Sequence, residues 1–183
     1  MMKNLPNILT ISRIALIPVI IGSFYIDTAI ANWVAATLFL FASITDYFDG
    51  MLARALSAQS LIGRFLDPIA DKLLVSACIV MLVHFNRADV IPALLIICRE
   101  ILVSGLREFL AGINVSVPVS KLSKIKTGVQ MGAIFLLLLG NNGEVFERIN
   151  HLGNIALWLA ALLTILTGYA YLQSGLKHMA NHE

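Results

Sequence analysis

Residues 46–71 read DYFDGMLARALSAQSLIGRFLDPIAD. Asp46, Asp49 and Ala53 recur at i, i+3 and i+7, so on a helix they share one face. Gly50 lies on that face too, one turn past Asp46, and its missing side chain leaves room for a ligand against the backbone. Arg54 closes this first stretch. Gly63, Asp67 and Asp71 follow at i, i+4 and i+8 and form a second stripe. Pro68 is tolerated in a first helical turn, which predicts a helix start near Leu66 or Asp67.

The sequence on either side is strongly apolar. Hydrophobic residues make up 58% of the 183 and charged residues 13%, against roughly 25% charged in a soluble protein. Such a chain cannot build a polar shell, and it is too rich in large apolar residues to be disordered. A bilayer is the solvent it suits. Crossing the hydrocarbon takes about 20 apolar residues per helix. Six apolar blocks are readable, near 8–26, 31–56, 63–85, 90–112, 121–140 and 151–177, with short punctuation between them. No linker, repeat or low-complexity tract divides them. The expected fold is therefore an all-α integral membrane protein, a single domain over 1–183 with six transmembrane helices. Membrane strands would alternate in polarity, and these blocks do not.

Charge placement predicts orientation. Every Lys and Arg except Arg87 and Arg148 falls at the N-terminus, the 2–3 and 4–5 connections, the C-terminus or the adjoining helix ends. Excess Lys and Arg mark the cytoplasmic side, so both termini and the aspartate stripes should be cytoplasmic. Lys3 to Arg13 followed by apolar Ile14 to Ile26 has the form of a signal peptide. Further apolar segments begin at once, however, and the block serves equally as a retained helix. The net charge of +2, with no basic run bearing interleaved aromatics, gives no sign of a nucleic-acid partner.

A charged residue at the centre of a membrane helix costs about 2.5–3.5 kcal/mol on insertion scales. Four lipid-facing aspartates would cost on the order of 10 kcal/mol, so they must line a cavity or bind cations. Four carboxylates at close range cannot all stay ionised in a low dielectric, and two divalent ions would neutralise them. Oxygen-only donors favour Mg²⁺ or Mn²⁺ over zinc, and two such ions about 4 Å apart suit a phosphoryl displacement. The residues alone thus point to a membrane enzyme handling a diphosphate at the cytoplasmic surface. A salt-bridged helix end, with Arg54, Arg64 and Lys72 as partners, would explain the charge but not the glycines.

Asp46-x2-Asp49-Gly50-x2-Ala53-Arg54-x8-Gly63-x3-Asp67-x3-Asp71 resembles the signature of the CDP-alcohol phosphotransferases at every fixed position. The resemblance implies a six-helix bundle in which the four aspartates hold two metal ions, with Asp71 also the general base. It implies that Asp46, Asp49, Gly50, Ala53, Arg54, Gly63 and Asp67 surround the cytidine nucleotide. Pro6-Asn7-x2-Thr10-x2-Arg13 is similar to the family's N-terminal segment, which brings Asn7, Thr10 and Arg13 to the same pocket. The family is commonly dimeric, so a homodimer is implied as well. The DxxD pattern is also shared by membrane prenyltransferases, which are longer bundles with an Asn-rich first motif.

Arg99-Glu100-x3-Ser104-x2-Arg107-Glu108, with Lys124-x-Lys126-Thr127-x2-Gln130-Met131, resembles the bacterial phosphatidylglycerophosphate synthase branch. On helix four, Glu100, Ser104 and Arg107 share a stripe, with Arg99 about a quarter-turn away. An acceptor carrying its own phosphate needs cations near the metals, and Arg99, Arg107, Lys124 and Lys126 are the candidates. Alternatively, Arg99 and Arg107 neutralise Glu100 and Glu108. The implied reaction moves a phosphatidyl group from CDP-diacylglycerol to sn-glycerol 3-phosphate, releasing CMP, within a bacterial inner membrane whose lipid surrounds the helices. Another phosphorylated polyol, such as an inositol phosphate, is the rival acceptor. A small divalent-cation transporter is the rival class, and it leaves the glycines and Arg54 unexplained.

Other features carry less. Cys78 and Cys98 sit within apolar blocks without CxxC spacing and read as packed thiols. His84, His151, His178 and His182 are scattered and read as interfacial. Gly128-x3-Gly132 is a small-xxx-small spacing that fits internal packing or a dimer. Tyr25, Trp33 and Trp158 lie near membrane edges or within helix six, where packing is expected.

Overall fold

The computed structural model describes residues 5–56, 61–113, 120–140 and 144–180, with side chains described over 10–45, 66–113, 120–140 and 147–176. Among these residues there are six α-helices and no strand: α1 (Leu5–Ser23), α2 (Ala29–Leu56), α3 (Leu61–His84), α4 (Val90–Gly112), α5 (Lys121–Leu138) and α6 (Glu144–Ala180). All six apolar blocks become helices, and the expected 90–112 block matches α4 at both ends.

Two helix starts differ from expectation. α3 begins at Leu61, so Pro68 lies inside the helix rather than in its first turn. The missing N–H forfeits only the bond to the carbonyl four residues earlier, and one lost bond does not stop an otherwise apolar helix. α6 begins at Glu144, ahead of residue 151. Glu144 to Asn150 is too polar to extend an apolar block, yet Glu and Arg are good helix formers. Apolarity alone hid that first part of the helix.

The buried seams are rich in small side chains. Ala35, Ala36, Ala42, Ala70, Ala93, Ala133, Ala160 and Ala161 are all in the core. Larger residues such as Phe39, Leu74, Ile96 and Leu137 fill the spaces between them. Outward faces carry Ile101, Leu102, Phe109, Ile155, Leu162 and Leu166. Small inside and large outside is the pattern of helices packing in hydrocarbon, where close backbone approach rather than water expulsion drives association. Among the described residues one helical stretch, Glu147–Leu176, is long and apolar enough to cross a membrane. Thr10–Ser23 and Ala29–Thr45 are shorter apolar stretches. α3 and α5 each carry several charged residues near one end, and α4 carries Arg99 and Glu100 at its middle with Arg107 and Glu108 beyond, which interrupts their apolar runs.

α5 packs along α6, α4 against α6, α1 against both α2 and α3, and α2 against α5. At one end of the bundle the connections form a polar knot. Arg87, in the turn after α3, donates through Nη1 to Asn32 Oδ1 at 2.9 Å and lies 5.5 Å from the Phe24 ring centre. Asn154 of α6 donates to the Arg87 carbonyl at 3.0 Å and accepts from the Asp89 amide at 3.1 Å. Asp89 makes no side-chain cap to α4; its carboxylate instead accepts from Trp158 Nε1 at 2.8 Å. Gly140 closes the knot at φ +84, where a Cβ would stand 2.2 Å from Asn32 Nδ2. Burial pulls the Arg87 guanidinium below its ordinary value, and the nearby Asp27 charge opposes that shift.

Three expectations about packing change. Cys78 is buried, but Cys98 is exposed on the outer face of α4. Tyr25, Trp33 and Trp158 are also exposed. Cys98, Trp33 and Trp158 sit on helix faces that the bundle leaves uncovered, which block-level apolarity cannot distinguish from inner ones, while Tyr25 lies in the turn after α1 with its edge toward Phe85. Gly128 and Gly132 are likewise exposed, and a Cβ at either would meet nothing within 4 Å. Their spacing therefore serves no helix contact within the described part of the chain.

Candidate active site

The end of the bundle opposite the knot gathers the charges. α1 turns Thr10 and Arg13 inward, three residues apart on one face and both buried. α3 carries Asp67 and Asp71 one turn apart. The Thr10 hydroxyl donates to Asp67 Oδ1, joining the N-terminal motif to the second aspartate stripe. The backbone at 46–56 and 61–65 is helical. The side chains of Asn7, Asp46, Asp49, Gly50, Ala53, Arg54 and Gly63 lie outside the described residues.

Beside Asp71 the helices α3, α4 and α5 enclose a cavity of about 50 Å³, whose polar lining is Asp71, Lys72, Ser76, Glu100, Lys126, Thr127 and Gln130. Lys126 is 3% exposed and donates through Nζ to Glu100 Oε1. Arg99 Nη1 reaches the same carboxylate oxygen at 3.0 Å, while its Nη2 donates to Thr167 Oγ1 of α6 at 3.2 Å. Two cations therefore share one carboxylate, and a positive charge is left in excess. Gly168 makes room for the Arg99 stem, since a Cβ there would stand 3.0 Å from Arg99 Cγ. Across the cavity Lys72 donates to Ser104 Oγ, tying α3 to α4.

The four acceptor-site candidates divide. Lys126 lines the cavity, and Arg99 is committed to Glu100 and α6. Arg107 is exposed, with its guanidinium 5.6 Å from the Tyr171 ring centre, and Lys124 is exposed on another side of α5. Five polar residues of the lining, Lys72, Ser76, Glu100, Thr127 and Gln130, had no binding role in the sequence reading. Lys72 figured only as a salt-bridge partner, and Gln130 only as a motif letter. The signal for Gln130 was present: it is a polar residue in a membrane-like helix, one turn from Lys126.

The donor set suits a hard cation. Asp67 and Asp71 offer only oxygen, from consecutive turns of one helix. Among the described residues no group of three or more His, Cys, Asp or Glu side chains converges; Asp46 and Asp49 lie outside them. Chemically, the site sets carboxylates beside a cation-lined cavity. That arrangement can receive a small phosphorylated ligand in the cavity.

Residues 3–166 match the family model described as CDP-alcohol phosphatidyltransferase. A Rickettsia felis protein named CDP-diacylglycerol–glycerol-3-phosphate 3-phosphatidyltransferase is 53% identical over 176 residues, covering 96% of this chain and 97% of the relative. A Rickettsia bellii protein of the same name is 54% identical over 176 residues, with the same shares covered. A Bacillus subtilis protein, again so named, is 41% identical over 183 residues, covering 93% of this chain and 94% of the relative.

Proposed function

The chain belongs to the CDP-alcohol phosphatidyltransferase family, and from that premise we propose that it transfers the phosphatidyl group of CDP-diacylglycerol to sn-glycerol 3-phosphate. The products are phosphatidylglycerol phosphate and CMP. The observation that carries this reading is the shared cavity: Asp71, last of the motif aspartates, lines the same pocket as Lys126. A base for a hydroxyl and a cation for a phosphate then face one small alcohol phosphate. The names of the relatives agree with it.

In this reading the acceptor phosphate rests against Lys126, with Lys72 as the second cation of the lining and Lys124, Arg107 and Arg99 farther out. Asp71 takes the proton of the acceptor hydroxyl. The hydroxyl oxygen forms a bond to the lipid-linked phosphorus in line, and the bond from that phosphorus to the CMP oxygen breaks, CMP keeping the electron pair. Thr10 fixes the Asp67 carboxylate, and Asn7, Arg13, Gly50, Ala53, Arg54 and Gly63 belong to the nucleotide side. Asp46, Asp49, Asp67 and Asp71 would hold two Mg²⁺ or Mn²⁺ ions, which when bound neutralise diphosphate charge and stabilise the leaving group.

The reading extends to six membrane crossings with both termini and the site at the cytoplasmic face of the bacterial inner membrane. The apolar outward faces and the segregation of Lys and Arg support it. It also includes a homodimer, for which the exposed Gly128–Gly132 seam leaves a surface that a second helix can approach closely. The test offers CDP-diacylglycerol with glycerol 3-phosphate, inositol 1-phosphate, serine or no acceptor to the protein in liposomes and identifies the lipid. Phosphatidylglycerol phosphate formed one-for-one with CMP is the expected result. Cation flux without CMP release would favour a transporter instead.

A further inference from the structure

Gln130 stands apart from the other polar groups of the cavity. It lies on α5 one turn past Lys126, is 3% exposed, and lines the cavity with Asp71, Glu100 and Lys126. Its Oε1 is buried and has no hydrogen-bond partner among the described residues. Lys126 and Glu100 satisfy each other nearby, and Lys72 is engaged by Ser104. An unpaired buried acceptor is costly to keep. One on a cavity wall is readily explained if a ligand donor completes it.

The ligand chemistry follows from the neighbours. Lys126 lies four residues away, about 6 Å along the axis, and it belongs to the group with surplus positive charge. A ligand with an anion at one end and a neutral hydroxyl two or three atoms away spans that interval. A hydroxyl also serves either orientation of the amide, because it both donates and accepts. The cavity, about 50 Å³, holds a few water-sized groups by the measure of about 10–15 Å³ for one water.

We propose that Gln130 is a specificity-determining residue that binds the non-reacting middle hydroxyl of the acceptor. The inference rests on the phosphatidyl-transfer reading. With the phosphate at Lys126, the reacting hydroxyl at Asp71 and the middle hydroxyl at Gln130, the acceptor is held at three points. Three-point attachment separates glycerol 3-phosphate from its mirror image as well as from analogues that lack the middle hydroxyl. A site that hydrogen-bonds a substrate hydroxyl rejects the analogue without it, because its own polar group is then left unpaired.

The experiment compares glycerol 3-phosphate with 3-hydroxypropyl phosphate, the same chain without the middle hydroxyl, at saturating CDP-diacylglycerol in liposomes. The wild-type protein should favour glycerol 3-phosphate by about tenfold or more in kcat/KM. In Gln130→Met, which keeps the length and removes the hydrogen-bonding groups, that preference should fall to within about threefold, and discrimination against sn-glycerol 1-phosphate should weaken with it. An unchanged preference, with both acceptors slowed alike, would assign Gln130 to packing and overturn the proposal. Wild-type protein that uses both acceptors equally would overturn it without any variant. Absence of lipid product from wild-type protein with either acceptor would instead overturn the transfer reading, and this inference with it.

Discussion

The two ends of the bundle differ in how they handle buried charge. At the knot, Arg87, Asn32, Asp89, Asn154 and Trp158 meet one another's hydrogen-bonding needs, with Asn150 Oδ1 left over. At the charged end, two cations share the Glu100 carboxylate and Gln130 Oε1 has no partner. A satisfied network holds helix ends together and asks nothing of a ligand. A network with surplus positive charge on a cavity wall is open to an anionic ligand. The contrast separates a part of the molecule that ties helix ends together from the part where the proposed reading puts the acceptor site.

Several substitutions break that contrast. Asp46→Asn, Asp49→Asn or Asp67→Asn should each abolish turnover by removing a charged ligand, while sparing folding because repulsion among the carboxylates falls. The check is CMP release together with the thermal midpoint in detergent, and full wild-type activity in excess chelator would sink the metal reading. Asp71→Asn should lower kcat by about 10²–10⁴-fold, the usual contribution of a general base, with CDP affinity kept. Parallel loss of affinity and activity would reduce Asp71 to a ligand. Lys124→Gln, on an exposed side of α5, should change the KM for the acceptor only about twofold, the scale of a solvated charge.

At the knot the expected effect is on stability. Gly140→Ala places a side chain at φ +84 and against Asn32, which should cost about 1–3 kcal/mol. The thermal midpoint should fall while kcat/KM of the folded fraction stays within about twofold of wild type, a range well under 1 kcal/mol. A large loss of activity without loss of stability would mean that the two ends are coupled more tightly than their separate networks imply.

Much of this was legible in the residues. Six apolar blocks became six helices, and the two aspartate motifs fall on helical backbone, one in α2 and one in α3. Helix starts were less legible: Pro68 suggested a boundary that the backbone passes through, and Glu144 to Asn150 concealed the start of α6 behind polar residues. Facing was the main loss. Whether Lys124 or Lys126 points inward, and whether Trp158 or Cys98 points outward, depends on which neighbours pack where. An all-round apolar helix carries too weak a periodic signal to tell. The knot escaped notice because Asn32, Arg87, Asn154 and Gly140 are distant in sequence and unremarkable one by one.

In the proposed reading the cavity between α3, α4 and α5 receives the acceptor phosphate. Steady-state kinetics of Lys126→Gln, with glycerol 3-phosphate and CDP-diacylglycerol varied separately, test it most directly. Loss of one charge-assisted contact, worth about 1.5–3 kcal/mol, should raise the KM for glycerol 3-phosphate by about tenfold or more. The KM for CDP-diacylglycerol should stay within about twofold of wild type, under 1 kcal/mol. A folded Lys126→Gln protein whose KM for glycerol 3-phosphate is unchanged would contradict the claim and return Lys126 to the single task of neutralising Glu100.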